Sequence, residues 1–501
     1  MPSDTTRAEI ETIEVTTSAG RVRGAWRTSR AGDRSAAFLG IPFAEPPVGE
    51  LRFAAPVPHG PWDGVLDATT FGATPQRGDS GITLIPEPSV PGDSTLNVNV
   101  FTPTPSSDTG LPVLVYIHGG GYFAGSPASP WYDGAAFNRD GVVTVTISYR
   151  LGFDGFGWIA DAPHNRGVLD WLLALEWVQQ NIADFGGDPG RVTIVGQSAG
   201  GGAVLTLLGM PRAQSLFRAA CSISGAAFDL PLERAEAFGR TIAKAGGVEP
   251  TRAGLASLTE ERLLELQNKA MMAGLRGNPL KLLTKFLDDG LAMAPVVDGD
   301  LITQGTLDAL HAGVGSDKPL LLGTTDDEFA VLFHKVKGVF RILPTGPLLR
   351  MGGLKGPTRA AYLAANPDVV RRGTAAVLGR YVTDRMFRTL ALRTVGARGT
   401  DAATWLYRFT WRSPRFDASV HCLDVPYFFD CLDLDGVTEI AGDHAPQSLA
   451  DDVHASAVAF AQHGDPGWPR CTSERPTTRV HDEISTIEAD GYASVRPLLQ
   501  G

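Results

Sequence analysis

The pentapeptide Gly196-Gln197-Ser198-Ala199-Gly200 sets a serine between two glycines, each two positions away. Spacing of this kind suits a nucleophilic serine held on a sharp strand-to-helix turn. Such a turn strains the serine backbone and draws neighbouring chain close, so the flanking positions cannot carry Cβ atoms. The flanks agree: Val192 to Val195 is a short β-branched run, and Ala203 to Leu208 reads as helix. Ser198 Oγ is then expected at a helix N-terminus, where backbone N–H groups favour developing negative charge. A second group of residues, His118-Gly119-Gly120-Gly121, directly follows the apolar run Val113 to Ile117. Three glycines after a strand expose main-chain donors. The N–H groups of Gly120, Gly121 and Ala199 are expected to form a three-donor oxyanion hole, each donor worth about a few kcal/mol in acyl transfer. Tyr122 and Phe123 follow the loop and are expected to line a pocket, while His118 is expected to brace the loop. The bland alternatives are an inert serine in a glycine-rich corner and a flexible surface loop.

The elements that must position these residues read as an α/β fold. Short strands separated by turns fill the N-terminal third, as in Gly20 to Gly24, Phe38 to Ile41 and Leu96 to Phe101. Continuous apolar runs then appear at Val113 to Ile117, Val142 to Ile147, Val192 to Val195 and Leu320 to Leu322. Runs buried on both faces are the mark of central strands in a mostly parallel sheet. Between them, Gly167 to Ile182 carries apolar residues at helical spacing and ends at Phe185-Gly-Gly-Asp-Pro189. Alternation of this type predicts a sheet with helices on both faces. Residues 230–290 and 330–400 are expected to form a helical cap or side lobe on a single domain spanning 1–501.

Composition narrows the function classes. Lys plus Arg is 44 against 55 Asp plus Glu, a net charge of -11. That balance argues against a nucleic-acid binder that neutralises phosphates. At 43% hydrophobic, the chain has ample material for a large core, so overall disorder is excluded. The 58 glycines and 35 prolines predict many turns and long loops, where sites are usually built. Cys221, Cys422, Cys431 and Cys471 show no metal-like pair spacing and are expected to be reduced and structural. The N-terminal residues do not read as a secretory signal. The uncharged run from Val192 to Met210 changes character halfway and contains five glycines, so it predicts strand-turn-helix, not a membrane span. A cytoplasmic protein without membrane or nucleic-acid partners is expected.

The chain resembles the type B carboxylesterase and cholinesterase family of α/β-hydrolases, on the pattern of its bacterial para-nitrobenzyl-esterase-like members. The segments that carry the resemblance span nearly the full length. They are Phe38 to Phe53, Trp62-Asp-Gly-Val65, the His118 glycine loop, Ser148-Tyr-Arg-Leu-Gly152, Phe185 to Gly201, Ala294 to Gly299, Asp327-Glu328 and Trp468-Pro469. Periodicity alone does not select the partners of Ser198. The resemblance implies Glu328 as the acid, in Gly323-Thr-Thr-Asp-Asp-Glu328-Phe329, with Asp327 as runner-up. It implies His421 as the base, in Ser419-Val-His421-Cys-Leu-Asp-Val-Pro-Tyr427. It also implies that Arg150 and Asp170 are structural braces.

Several positions depart from the family. Its cysteine pair near the gorge is missing, since Asp93-Ser-Thr-Leu96 stands there, which agrees with a reducing compartment. No aromatic residue occurs from Gln76 to Thr95, where cholinesterases carry a cation-binding tryptophan. Gln197 stands where glutamate is common, and Phe329 stands at the usual glycine of the acid motif. Cys422 replaces a frequent glycine. Gln197 and Cys422 are candidate pocket residues. The implied activity is serine carboxylesterase action on apolar or aryl esters through an acyl-enzyme. Carbamates, phthalate-type diesters and amides are alternative substrates, and a non-catalytic binding module of the same fold is the rival class. The expected partners are a small-molecule ester and water, with no cofactor or metal. A monomer or weak homo-oligomer is expected.

Overall fold

The computed structural model describes residues 11–499 except 30–31, 78–83, 227–228, 274–286, 288–289 and 332–342. Its strands, in chain order, are β1 Thr12–Thr16, β2 Arg21–Thr28, β3 Arg34–Pro42, β4 Val65–Asp67, β5 Asn97–Thr102, β6 Leu111–Ile117 and β7 Val143–Ile147. Then come β8 Gly187–Gln197, β9 Ala219–Ile223, β10 Leu230–Pro231, β11 Val296–Val297 and β12 Leu320–Thr325. The last are β13 Thr404–Phe409, β14 Thr478–His481 and β15 Thr486–Glu488. Among the described residues, β10 and β11 pair with each other, and the rest form one 13-stranded sheet. Its order is β1-β2-β3-β5-β7-β6-β8-β9-β12-β13-β14-β15, with β4 beside β2.

The pairing is parallel from β7 through β6, β8, β9, β12 and β13 to β14, and antiparallel from β1 to β7 and at β15. Every residue of β5, β7, β9 and β12 is buried, so the asparagines of β5 and the threonines of β7 lie inside the fold with the apolar residues between them. Helices cover the sheet. Arg166–Asn181 packs Val168, Leu172, Leu175 and Val178 into one core, while Gln447–His463 packs Leu449, Val453, Ala457 and Phe460 into another. The fold is the α/β architecture read from the sequence, and the apolar run after Val192 is strand β8 followed by the helix Ala199–Leu208. Among the described residues no helix is long and apolar enough to cross a membrane.

The parallel register aligns the strand ends that matter. Ile117 at the end of β6 lies opposite Gly196, and Gln197 lies opposite Ile223. β12 in turn pairs Gly323 with both Ile223 and Tyr407. The loops that follow β6, β8, β12 and β13 therefore leave the sheet on its carboxyl edge, where open α/β sheets build their sites. Parts of both expected lobes are described as helices, at Leu232–Gly246, Glu260–Ala273, Thr374–Thr383 and Thr389–Arg398. Residues 274–286 and 332–342 of those lobes lie outside the described residues.

Candidate active site

Ser198 sits between β8 and the helix Ala199–Leu208 with φ 58° and ψ -121°, a conformation side chains rarely adopt. The neighbouring glycines show why the turn holds. A Cβ on Gly200 would lie 1.9 Å from the Ile117 carbonyl oxygen, and one on Gly196 would lie 2.3 Å from the Gly200 oxygen. Ser198 N–H donates to Ile223 O at 2.9 Å, which ties the turn to the end of β9. The strain is thus maintained by the sheet on both sides.

The loop after β6 approaches this turn closely, since a Cβ on Gly119 would meet the Gln197 oxygen at 2.8 Å. Gly120 and Gly121 have φ of 101° and 63°. A Cβ at Gly120 would strike the Ala124 oxygen at 2.1 Å, so glycine is required there. Among the described residues no acceptor takes the N–H of Gly120, Gly121 or Ala199. His118 stacks on Tyr149 at 4.5 Å, and the Tyr149 hydroxyl donates to His118 O at 2.9 Å. Burial pushes the His118 ring down to about 4, so it is neutral and its Nδ1–H donates to Gly119 O at 2.9 Å. His118 braces the loop.

Three side chains meet beside that turn. His421 Nε2 lies 2.9 Å from Ser198 Oγ, and His421 Nδ1 lies 2.5 Å from Glu328 Oε2. Glu328 is fully buried, and its other oxygen accepts from Thr325 N–H at 2.9 Å. With Nδ1 protonated toward Glu328, Nε2 carries the lone pair. Both the Ser198 hydroxyl and the Gln197 amide, at 3.2 Å, reach it. Burial disfavours the His421 cation, but its contacts with Cys422 and Glu328 outweigh that and hold the ring above the usual histidine range. The Cys422 thiol is itself pushed up by burial, so the negative charge beside the ring is that of Glu328. Hydroxyl, imidazole and carboxylate in series can move a proton from the serine and stabilise the ring when it is charged.

Asp327 points elsewhere. It accepts from Arg372 Nη1 at 3.1 Å and Arg380 Nη2 at 3.2 Å, and makes no bond to His421. Tyr122 is corrected from pocket wall to core: it is 0% exposed and packs on Phe156 and Trp171. Phe156, Trp171 and Tyr149 form an aromatic cluster that takes up its ring. Cys422 is likewise a core residue, at φ 68°. Phe123 does face open space, in a cleft of about 300 Å³ shared with Arg77, Leu151, Leu263 and Met271. Arg150 and Asp170 form a buried brace, with Arg150 Nη2 and Nε donating at 2.7 and 2.9 Å. Phe387, packed against His421, and Arg380, behind the acid, had no spacing in the sequence that tied them to the site.

The carboxylesterase family model matches residues 11–343. The chain belongs to the carboxylesterase family. Among its relatives, the para-nitrobenzyl esterase of Bacillus subtilis is 33% identical, over 97% of this chain and 98% of its own. The phenmedipham hydrolase of Pseudarthrobacter oxydans is 32% identical, over 92% and 95% respectively. Among solved structures, a carboxylesterase of Geobacillus stearothermophilus superposes with a TM-score of 0.81 at 33% identity, covering 96% of this chain and 99% of its own. As a member of this family, the protein is a carboxylic ester hydrolase with the α/β-hydrolase fold.

Proposed function

We propose that this carboxylesterase hydrolyses apolar or aryl esters through an acyl-enzyme on Ser198, with the whole chain acting as one catalytic domain. The observation that carries the proposal is the series Ser198 Oγ, His421 and Glu328, linked at 2.9 and 2.5 Å. His421 Nε2 takes the hydroxyl proton as Oγ attacks the carbonyl carbon. The N–H groups of Gly120, Gly121 and Ala199 receive the oxyanion, and His421 returns its proton to the departing alcohol. Water then gives a proton to His421 and attacks the acyl carbon, and His421 passes that proton to Ser198 Oγ as the Oγ–acyl bond breaks, which releases the acid and restores the serine. Glu328 fixes the ring tautomer and stabilises its charged form.

Neutral Gln197, whose amide lies 3.2 Å from His421 Nε2 beside the nucleophile, supports uncharged substrates. The four cysteines are buried and unpaired, which supports work in a reducing, cytoplasmic setting. Carbamates, phthalate-type diesters and amides would use the same three side chains. The test is p-nitrophenyl ester turnover by the wild type and Ser198→Ala. Loss of turnover in the variant is expected, and full retention would reject the proposal. A panel of acyl lengths, aryl carbamates and anilides then ranks the substrate classes.

A further inference from the structure

The His421 ring is held by more than its two nitrogens. Phe329 stacks on it with centroids 5.7 Å apart and planes 28° apart. Phe387 lies 5.3 Å away at 42°. The two phenyl rings are 5.5 Å from each other, so the three centroids form a nearly equilateral triangle. Both phenyls therefore back the same side of the imidazole, as a cradle and not as a sandwich. Phe387 belongs to a single π-helical turn, Asp384–Arg388, a distortion often found at functional sites. The turn is anchored beside the acid. Arg388 bonds Asp384 at 2.7 Å, and Phe329 N–H reaches Thr383 Oγ1 at 3.4 Å.

Phe329 directly follows the acid Glu328, so the loop that supplies the carboxylate also supplies an aromatic ring beside the imidazole. Hydrogen bonds to Glu328 and Ser198 fix two points on the edge of the imidazole, but they do little to fix its tilt about the line between them. An aromatic face against one side limits the tilt. It also places the negative face of a π system beside the ring that becomes positive during proton transfer.

We infer that Phe329 and Phe387 are positioning residues for His421, which fix the tilt of its ring and stabilise its protonated form during ester hydrolysis. This rests on His421 acting as the base, as proposed above. The other groups that act on the ring are Glu328 and Ser198 on its edge, Gln197 at Nε2, and the Cys422 thiol and Asp424 carboxyl nearby. None of them is changed by substituting the phenylalanines.

The test is the pH dependence of kcat and kcat/KM for a p-nitrophenyl ester, per acylatable Ser198, in Phe329→Leu, Phe387→Leu and Phe329→Tyr. Phe329 is only half-buried, so its leucine variant keeps the experiment interpretable if Phe387→Leu folds poorly. Both leucine variants should lower the acid-limb pKa by roughly 0.4 to 1.5 units, the size of a desolvated cation–π contact. The same variants should lower kcat by roughly three- to tenfold with KM within twofold, and Phe329→Tyr should restore both. An unmoved limb and kcat in Phe329→Leu, an effect on KM alone, or a tyrosine variant as impaired as the leucine one would each overturn the inference. If Ser198→Ala is inactive while these variants behave as wild type, the cradle is wrong and the triad stands. If Ser198→Ala keeps its turnover, the triad itself is wrong.

Discussion

Glu328 holds His421 by two bonds, one through each part of the residue. Its side-chain Oε2 faces His421 Nδ1 at 2.5 Å, and its backbone carbonyl accepts from His421 N–H at 2.9 Å. The adjacent Asp327 accepts no bond from the ring but donates a backbone one: its N–H reaches Ser419 O at 2.9 Å. The two loops thus run side by side, and only one carboxylate of the pair reaches the ring. Glu328→Gln should cut kcat by about 10²- to 10⁴-fold, as loss of the orienting carboxylate does in such relays. Because Glu328 raises the His421 pKa, and the base works only when unprotonated, wild-type activity should rise with pH through a limb above the usual ~6.5. That limb should move down in the glutamine variant. Asp327→Asn should keep turnover within about tenfold while weakening its arginine contacts, worth roughly 1–3 kcal/mol. Steady-state kinetics across pH and chemical denaturation separate the two.

Gln197 tests the electrostatics at the other nitrogen. Its amide is almost wholly buried and 3.2 Å from His421 Nε2. Gln197→Glu adds a carboxylate within direct reach of the ring. The acid limb should rise by about 1–3 units, and kcat/KM for esters of quaternary ammonium alcohols should improve relative to neutral esters. Equal profiles for both ester types in both proteins would remove Gln197 from the account of substrate charge.

The acid loop is also tied to the helical lobe by buried charge. Asp326 accepts from Arg408 Nη2 at 2.8 Å and Nε at 3.0 Å, and from Arg380 Nη2 at 3.1 Å. Burial works against the Asp326 anion, but Arg408, Arg380 and Arg388 outweigh it and hold the carboxyl far below the ordinary range. Arg380→Ala leaves Asp326 and Asp327 short of a cation and should destabilise by about 3–5 kcal/mol. The loss should shrink as pH falls toward the ordinary carboxyl range, where protonation relieves the unpaired charge. Urea unfolding at pH 7 and pH 4 reads both effects.

Asp424 gives the opposite sign. Burial, helped by the nearby Glu328 charge, pushes its carboxyl up to about 7, and Tyr407 OH donates to it at 3.2 Å. The folded chain therefore holds this proton more tightly than the unfolded one. Its stabilising contribution is full below the ordinary value near 3.8 and is lost as pH rises toward 7. Asp424→Asn removes this dependence, so the stability of the wild type relative to the variant should decline from pH 4 to pH 7. A constant difference across that window would show that Asp424 does not titrate there.

Some of this was legible in the sequence because steric demands leave a trace in composition. Gly196, Gly200 and Gly120 are required by carbonyls within 2.3 Å of any Cβ, and all three stand out as glycines. Long apolar runs marked β6, β7 and β8 for the same reason: both of their faces are buried. β9, Ala-Ala-Cys-Ser-Ile, and β13, with Arg408 inside it, gave no such signal. The first is built of small residues packed under helices, and the second carries a charge that is met by residues distant in the chain, Asp326 after β12 and Glu488 on β15. The partners of Ser198 were beyond local reading. His421 is 223 residues from the serine and 93 from Glu328, so only family resemblance suggested them. Tyr122 was misplaced because proximity to the loop says nothing of which way a large ring turns.

The central claim is that Ser198 carries the acyl group. The most direct measurement is the mass and peptide map of the protein after reaction with a fluorophosphonate, which phosphonylates a serine oxygen with loss of fluoride. The account predicts one adduct per chain, located at Ser198, with ester turnover falling in step with its formation and no adduct in Ser198→Ala. Continued turnover with Ser198 fully phosphonylated, or an inactivating adduct at another residue, would contradict it.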